Sequence, residues 1–449
     1  MVSFAKISKL TPKNLNKKTI LYVWIVNINE KGNSLWFITG QDSGGYIQIV
    51  VKDRELISHL KKIKKGDLLE VQGIVKKKWV PENKKASAKE ELEIELTEFK
   101  LINANSSDKD LPLPFVNVKE DNKYRYRYLD LRNPSSKKPL LVKNQFCYEL
   151  RKLLYKQDFI DVETPILAQN SPEGANCFVV PSNLKNRFYT LPQSPQIFKQ
   201  LLMVGGLGKY YQIAKSFRNE DARSNRQIEF SQLDLELSFT SVKEIKKLVE
   251  KLLKNILAKV FGYQIKIPFP SFTYQQVIKK YGTDKPDLRK NSQKEKELNF
   301  LWITDWPLFE YNSEAKKYEA ARHPFTTPQK KYINPLLTGK IEPEKVICEA
   351  FDLICNGEEI LSGSIRIYQR NLQEKVLEIL GYNSQAREKN FGYFLQALEF
   401  AAPPHGGIGL GIDRLLAVIL NTNNLKELIA FPKNIDGTCS LTGTPDLLS

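Results

Sequence analysis

Between Lys18 and Leu101 the apolar residues come in short runs broken by polar ones: Ile20–Val26, Leu35–Ile38, Tyr46–Val51, Leu68–Val75 and Leu92–Leu96. The stretches L-E-V-Q-G-I-V and L-E-I-E-L alternate with period two, which predicts strands with one buried face. A helix-like piece, Asp53 to Lys62, falls between the third and fourth runs. Five strands with a helix after the third is the order of an OB-fold barrel. Trp36, Phe37 and Tyr46 are candidate platforms for stacked bases, and each is equally a candidate for the barrel core. Strand alternation places Trp36 and Phe37 on opposite faces.

Asn103 to Pro114 is polar and then proline-punctuated, and reads as a linker. From Asn144 to Lys156 apolar positions recur at helical spacing. Strand runs and helical runs then mix without a regular βαβ rhythm, so the fold class is α+β. The expected division is a barrel over residues 1–110, a hinge over 111–135 and a larger domain over 136–449. The 449 residues carry a net charge of +17, which points to a polyanionic partner such as nucleic acid. Solvated lysine runs are the plainer account of part of that charge. Five scattered cysteines form no C-x-x-C pair, so neither a zinc site nor a disulfide framework is expected. No signal-peptide core or membrane span is visible, and the expected location is the cytoplasm.

The candidate chemistry lies in two stretches. In the first, Tyr211 to Phe230, an apolar strand delivers Arg218 and Glu220, a loop carries Arg223 and Arg226, and Gln227 and Phe230 begin a return strand. The second, G-I-G-L-G-I-D-R (Gly407 to Arg414), reads as a glycine-rich turn that sets Arg414 at the start of an apolar helix. Two arginines on separate rigid elements suit a polyphosphate, because guanidinium binds phosphate oxygens bidentately. No Walker-type or Rossmann glycine loop occurs, and Gly205-Gly206-Leu207-Gly208 reads as a helix stop. His405, between two prolines and two glycines, reads as a satisfied turn histidine.

These stretches, in this order, resemble motifs 2 and 3 of class II aminoacyl-tRNA synthetases. F-I-D-V-E-T-P-I-L (Phe159 to Leu167) resembles motif 1, the dimer-forming strand. Ser171 to Ala175 is similar to the mobile loop that closes over the amino acid. Leu191 to Met203, Tyr281 to Arg289, Arg322 to Thr326, Asn356 to Arg366 and Ala430 to Lys433 are similar to segments of bacterial aspartyl-tRNA synthetases. The resemblance implies an OB-fold anticodon-binding barrel and a class II catalytic domain, an antiparallel sheet flanked by helices. It implies activation of aspartate by ATP with Mg²⁺ and transfer to tRNA(Asp), with tRNA(Asn) as a second candidate, by a homodimer.

By the same resemblance, Arg218 and Arg414 are catalytic at the phosphates. ATP is expected to meet Arg218, Asn219, Glu220, Gln227, Phe230, Glu359, Gly411, Ile412, Asp413 and Arg414. Aspartate is expected to meet Glu173, Ser194, Gln196, Lys199, Arg218, Gln232, Asp234 and Arg366, with Lys199 and Arg366 gripping its side-chain carboxylate. Asp352 and Glu359 are the expected Mg²⁺ ligands. In one continuous strand they would face opposite ways, and a turn at Asn356-Gly357 would restore a common face. Phe37 and Gln48 match anticodon-binding positions. The chain departs from the family at Asn219, Asn225, Ile228 and Arg322, the last standing where a histidine is usual. It also departs after Arg289, where the usual insertion domain is reduced or absent. A lysine- or asparagine-specific cousin, a free-amino-acid asparagine synthetase and a non-catalytic RNA-binding paralogue are the competing readings.

Overall fold

The computed structural model describes residues 5–79, 91–107, 118–169, 176–220, 223, 225–289, 297–422 and 424–446. Two compact units are present, Met1–Lys138 with Ser440–Thr444, and Pro139–Cys439 with Pro445–Ser449.

The first unit holds a closed barrel of β1 (Lys18–Glu30), β2 (Trp36–Asp42), β3 (Gly45–Val51), β4 (Leu68–Lys77) and β5 (Leu92–Asn103), in the order β1-β2-β3-β5-β4. The alternating residues Leu21, Val23 and Ile25 fill its interior with Leu69, Val71, Ile94 and Leu96. Each strand has one apolar face, and closure buries all five faces while removing the open edges. Helix α1 (Arg54–Leu60) follows β3, and the Asp53 side chain caps it by accepting from the amides of Glu55 and Leu56. Two short helices, α2 (Glu120–Arg125) and α3 (Arg127–Asp130), precede α4 (Pro134–Tyr155), within which the second unit begins.

The second unit is built on an eight-stranded sheet. Its strands are β6 (Ile160–Asp161), β9 (Lys209–Phe217), β10 (Glu229–Ser238), β11 (Ser271–Thr273), β12 (Phe300–Thr304), β15 (Ala350–Cys355), β16 (Glu358–Ile365) and β17 (His405–Gly411). The order is β11-β12-β15-β16-β17-β10-β9-β6, antiparallel throughout except for a short parallel strand at each edge. Small hairpins pair β7 (Val179–Pro181) with β8 (Phe188–Thr190) and β13 (Phe309–Asn312) with β14 (Lys317–Ala320). One sheet face packs against α4, α6 (Val242–Ile256) and α11 (Ile412–Leu420) through Phe146, Leu150, Val249, Leu253, Leu415 and Leu416. Helix α5 (Gln196–Val204) ends at Gly205, and Gly206 and Gly208 follow with left-handed backbones, the helix stop expected there. No helix among the described residues is long and apolar enough to cross a membrane.

Candidate active site

The stretch expected as a glycine-rich turn is a strand. In β17, Ile408 and Leu410 enter the core while Gly409 and Gly411 line a cleft of about 440 Å³. This is period-two alternation with glycine in place of polar residues. On β10, Gln232 lies opposite Gly411, Asp234 opposite Gly409 and Glu236 opposite Gly407. A Cβ on Gly409 would stand 2.1 Å from Gln232 Nε2, and one on Gly407 2.1 Å from Glu236 Oε2. The glycines let side chains of the neighbouring strand lean across bare backbone. Arg414 stands in the first turn of α11, as expected.

A buried ionic cluster closes one end of the cleft. Lys199 Nζ donates to Asp234 Oδ1 at 2.9 Å and to the Ile408 carbonyl at 3.1 Å, and lies 3.4 Å from Glu236 Oε2. Arg366 meets Glu236 through two nitrogens, Nε at 2.9 Å and Nη2 at 3.2 Å. Its Nη1 lies 2.6 Å from Ser364 Oγ and 2.5 Å from His323 Nε2. Lys199 and Arg366 are therefore not a bare pair of cations: Asp234 and Glu236 balance them. Burial raises the Asp234 carboxyl above the ordinary carboxylate range, outweighing the lowering by Lys199. Burial also pushes Glu236 up, but Arg366 and Lys199 outweigh it and leave that group lowered. Burial, then Arg366, Lys199 and Arg322, hold the His323 imidazole well below 6.5, so it is neutral. Sequence reasoning missed Glu236 and His323. Alternation from Gln232 and Asp234 along β10 was the available signal for the first, and the neighbouring Pro324-Phe325 for the second.

Ser194, Gln196, Lys199, Arg218, Gln232, Asp234 and Arg366 all line the cleft; Glu173 lies outside the described residues. Among the described residues, Asp234 Oδ2 and Gln196 Nε2 are buried without a hydrogen-bond partner. Such groups are costly unless a ligand meets them.

Farther along the cleft stand Arg218, Glu220, Gln227, Phe230, Glu359, Asp413 and Arg414. The Arg218 guanidinium lies 5.2 Å from the Phe230 ring centre, and Arg226 approaches Glu220 at 3.4 Å. Arg414 Nη1 donates to the Glu359 carbonyl at 2.8 Å. Three expected nucleotide residues are engaged in holding the walls. The Gln227 amide makes two bonds to the backbone of Lys433. Asp413, buried, accepts from Lys143 and from the Ser231 amide. Ile412 is fully buried in the core. Asn219 does not line the cleft, and its amide donates to the Asn176 carbonyl.

Asp352 and Glu359 do share a face. The Asn356-Gly357 turn has left-handed backbones and pairs Ile354 with Glu359. A bulge then shifts the register so that Leu353 faces Leu361 and Asp352 faces Ser362. That shift puts odd-numbered Glu359 and even-numbered Ser362 and Arg366 on one cleft. Two carboxylates suit a hard cation. Here, however, the Arg322 guanidinium is ion-paired with Asp352 and lies 3.9 Å from Glu359. No group of three His, Cys, Asp or Glu side chains that would hold a metal occurs among the described residues. As arranged, the pair does not fit a resident Mg²⁺.

On the barrel, Trp36 is buried and Phe37 half-buried, on opposite faces. Phe37 pairs with Val50 and Thr39 with Gln48, so Phe37 and Gln48 are diagonal neighbours on the outer face. The Gln48 amide donates to Glu93 at 2.9 Å.

The chain combines an OB barrel with an eight-stranded sheet, antiparallel but for its edge strands, that carries an arginine-lined cleft; these features define a class of enzyme, and comparison with known proteins agrees. The tRNA synthetases class II (D, K and N) family matches residues 119–435, and the OB-fold nucleic acid binding domain family matches residues 20–102. The chain belongs to the class II aminoacyl-tRNA synthetases, enzymes that use ATP. It is 34% identical to the aspartate–tRNA(Asp/Asn) ligase of Dictyoglomus turgidum, over 97% of this chain and 94% of the relative. It is 32% identical to the aspartate–tRNA ligase of Staphylococcus saprophyticus, over 98% and 96%. The Dictyoglomus alignment spans 563 residues against 449 here, so the relative carries a long stretch with no counterpart in this chain. Among solved structures, asparaginyl-tRNA synthetase from Pyrococcus horikoshii with asparaginyl-adenylate matches with a TM-score of 0.75 at 22% identity, covering 96% of this chain and 98% of the other. Aspartyl-tRNA synthetase from Entamoeba histolytica matches at 0.73 and 20%, covering 96% and 92%.

Proposed function

We propose that the chain is an aspartate–tRNA ligase. Its reaction joins the α-carboxylate of L-aspartate to the α-phosphorus of ATP, releasing diphosphate. The terminal 3′-hydroxyl of tRNA(Asp) then attacks the aspartyl-adenylate and AMP leaves. The observation that carries this reading is that Asp234 Oδ2 and Gln196 Nε2, two of the cleft's buried atoms without a hydrogen-bond partner, belong to the same cleft end as Lys199 and Arg366. An acceptor and a donor left open together match the ammonium and carboxylate of an amino acid. The relatives named as aspartate ligases support aspartate as that amino acid.

Both reactants are anionic, so positioning and charge neutralisation carry the chemistry. Arg218 and Arg414 meet the phosphates, and Phe230 stacks on adenine. Glu220 receives the adenine amino group once Arg226 turns aside. Ser194, Gln232 and Glu173 complete the amino-acid contacts, while Asn219, Gln227, Ile412 and Asp413 act by holding the nucleotide wall. The Asp352–Glu359 pair, occupied by Arg322, would not hold Mg²⁺ of its own, and any Mg²⁺ would enter with ATP to neutralise phosphate charge. Residues 1–110 read the anticodon through Phe37 and Gln48, residues 111–135 form the hinge, and 136–449 catalyse. The working unit is a cytoplasmic homodimer. The Asp/Asn name of the Dictyoglomus relative favours a second reading, in which tRNA(Asn) is charged as well. ATP–diphosphate exchange with each amino acid tests the first reading; exchange driven by lysine or asparagine but not aspartate would end it. Charging of tRNA(Asp) and tRNA(Asn) transcripts decides the second.

A further inference from the structure

Arg322 occupies the space between two carboxylates on neighbouring strands. It is ion-paired with Asp352, itself 1% exposed, and is 3.9 Å from Glu359. The Trp306 ring backs it, with the guanidinium carbon 3.7 Å from the ring centre. Lys285 approaches Glu359 at 4.0 Å. Among the described residues Asp352 has no other ion-pair partner. Two cations thus face two carboxylates before any ligand enters. A guanidinium stays charged at every working pH and its planar fork suits carboxylates.

We propose that Arg322 is a resident cation that takes the place of a divalent metal at the Asp352–Glu359 pair. It is a positioning residue: it holds both carboxylates on the cleft face and keeps divalent ions off them. A divalent ion binds such a pair through its negative charge, and Arg322 cancels that charge while filling the space between the oxygens. The cation site does not depend on the ligase reading; only its bearing on ATP does.

The test is Mn²⁺ binding to the full chain without nucleotide, read from the spin-resonance signal of free Mn²⁺. Met has a similar length without the charge, so Arg322→Met should bind Mn²⁺ at least tenfold more tightly than the wild type. Adding Glu359→Gln should abolish that gain, and Arg322→Lys should remain as weak as the wild type. If Arg322→Met does not fold, Arg322→Leu serves as the neutral variant. Two results would overturn the proposal: a wild-type Mn²⁺ site lost on Glu359→Gln, or neutral variants that gain none. Aspartate-dependent exchange is measured on the wild type in parallel. Its absence would defeat the ligase reading and leave the Mn²⁺ result standing.

Discussion

Replacing Lys199 by Met removes the cation at the centre of the buried cluster while keeping most of its volume. Lys199 is 1% exposed and meets Asp234, Glu236 and the Ile408 carbonyl. Without it, one guanidinium faces two buried carboxylates. Breaking a buried pair on one side typically costs about 3–5 kcal/mol. Protonation of Asp234 caps the charge-dependent part. Holding a carboxyl with an ordinary value of 3.8 neutral at pH 7 costs about 4 kcal/mol, at about 1.4 kcal/mol per pH unit. The folded variant then binds a proton that the unfolded chain lacks above pH 3.8, so stability falls as pH rises. The destabilisation of Lys199→Met should therefore be about 4 kcal/mol at pH 7 and under about 2 kcal/mol at pH 5. Adding Asp234→Asn should remove this pH dependence and recover stability, because neither partner is then charged. Denaturant unfolding at several pH values measures both effects. Aspartate-dependent exchange should fall by about a hundredfold in the single variant and stay low in the double. A pH-independent loss, or a double variant less stable than the single, would refute the account of the cluster.

Gly409→Ala places a methyl against Gln232 Nε2, so the Michaelis constant for aspartate should rise at least tenfold with little change in melting; an unchanged constant would mean that Gln232 has no part in binding. Arg414→Ala should lower the exchange rate about 10²–10³-fold with an intact fold, since it donates to the Glu359 carbonyl at the cleft wall rather than packing in the core; near-normal exchange would make that arginine structural. Phe37→Ala should weaken tRNA charging by about 1–3 kcal/mol while exchange and melting persist, and wild-type charging would exclude base stacking there. Burial, with Arg366, Lys199 and Arg322, holds His323 well below 6.5, so the unfolded chain takes up a proton first as pH falls. Stability should decline as pH drops from about 6.5 toward the folded value; His323→Asn should flatten that decline, and an unaltered slope would refute it.

The barrel was legible because each strand carries its own pattern: Leu21, Val23 and Ile25 alternate within one local run. The cleft was legible through Arg218, Lys199, Arg366 and Arg414, whose surrounding strings are distinctive. Their partners were not. Glu236 reaches Arg366 because β17 lies between β10 and β16, a neighbourhood that sequence order does not reveal. The shared face of Glu359 and Arg366 depends on a one-residue bulge, and a single register shift reverses every facing beyond it. Glycine itself misled the reading of Gly407 to Gly411. It marks turns, yet here it marks the close approach of side chains from the next strand.

That bare strand separates two tasks that side chains usually share. Ile408 and Leu410 anchor the sheet from below, while Gly409 and Gly411 put no side chain of their own into the cleft. The side chains flanking this strand are Gln232, Asp234 and Glu236 on one neighbouring strand and Ser362 and Ser364 on the other, with Arg366 just beyond. Exchanges on the flanks can alter which molecule is held without disturbing the anchor. A lineage drifting between related amino acids would change its walls many times and its floor hardly at all.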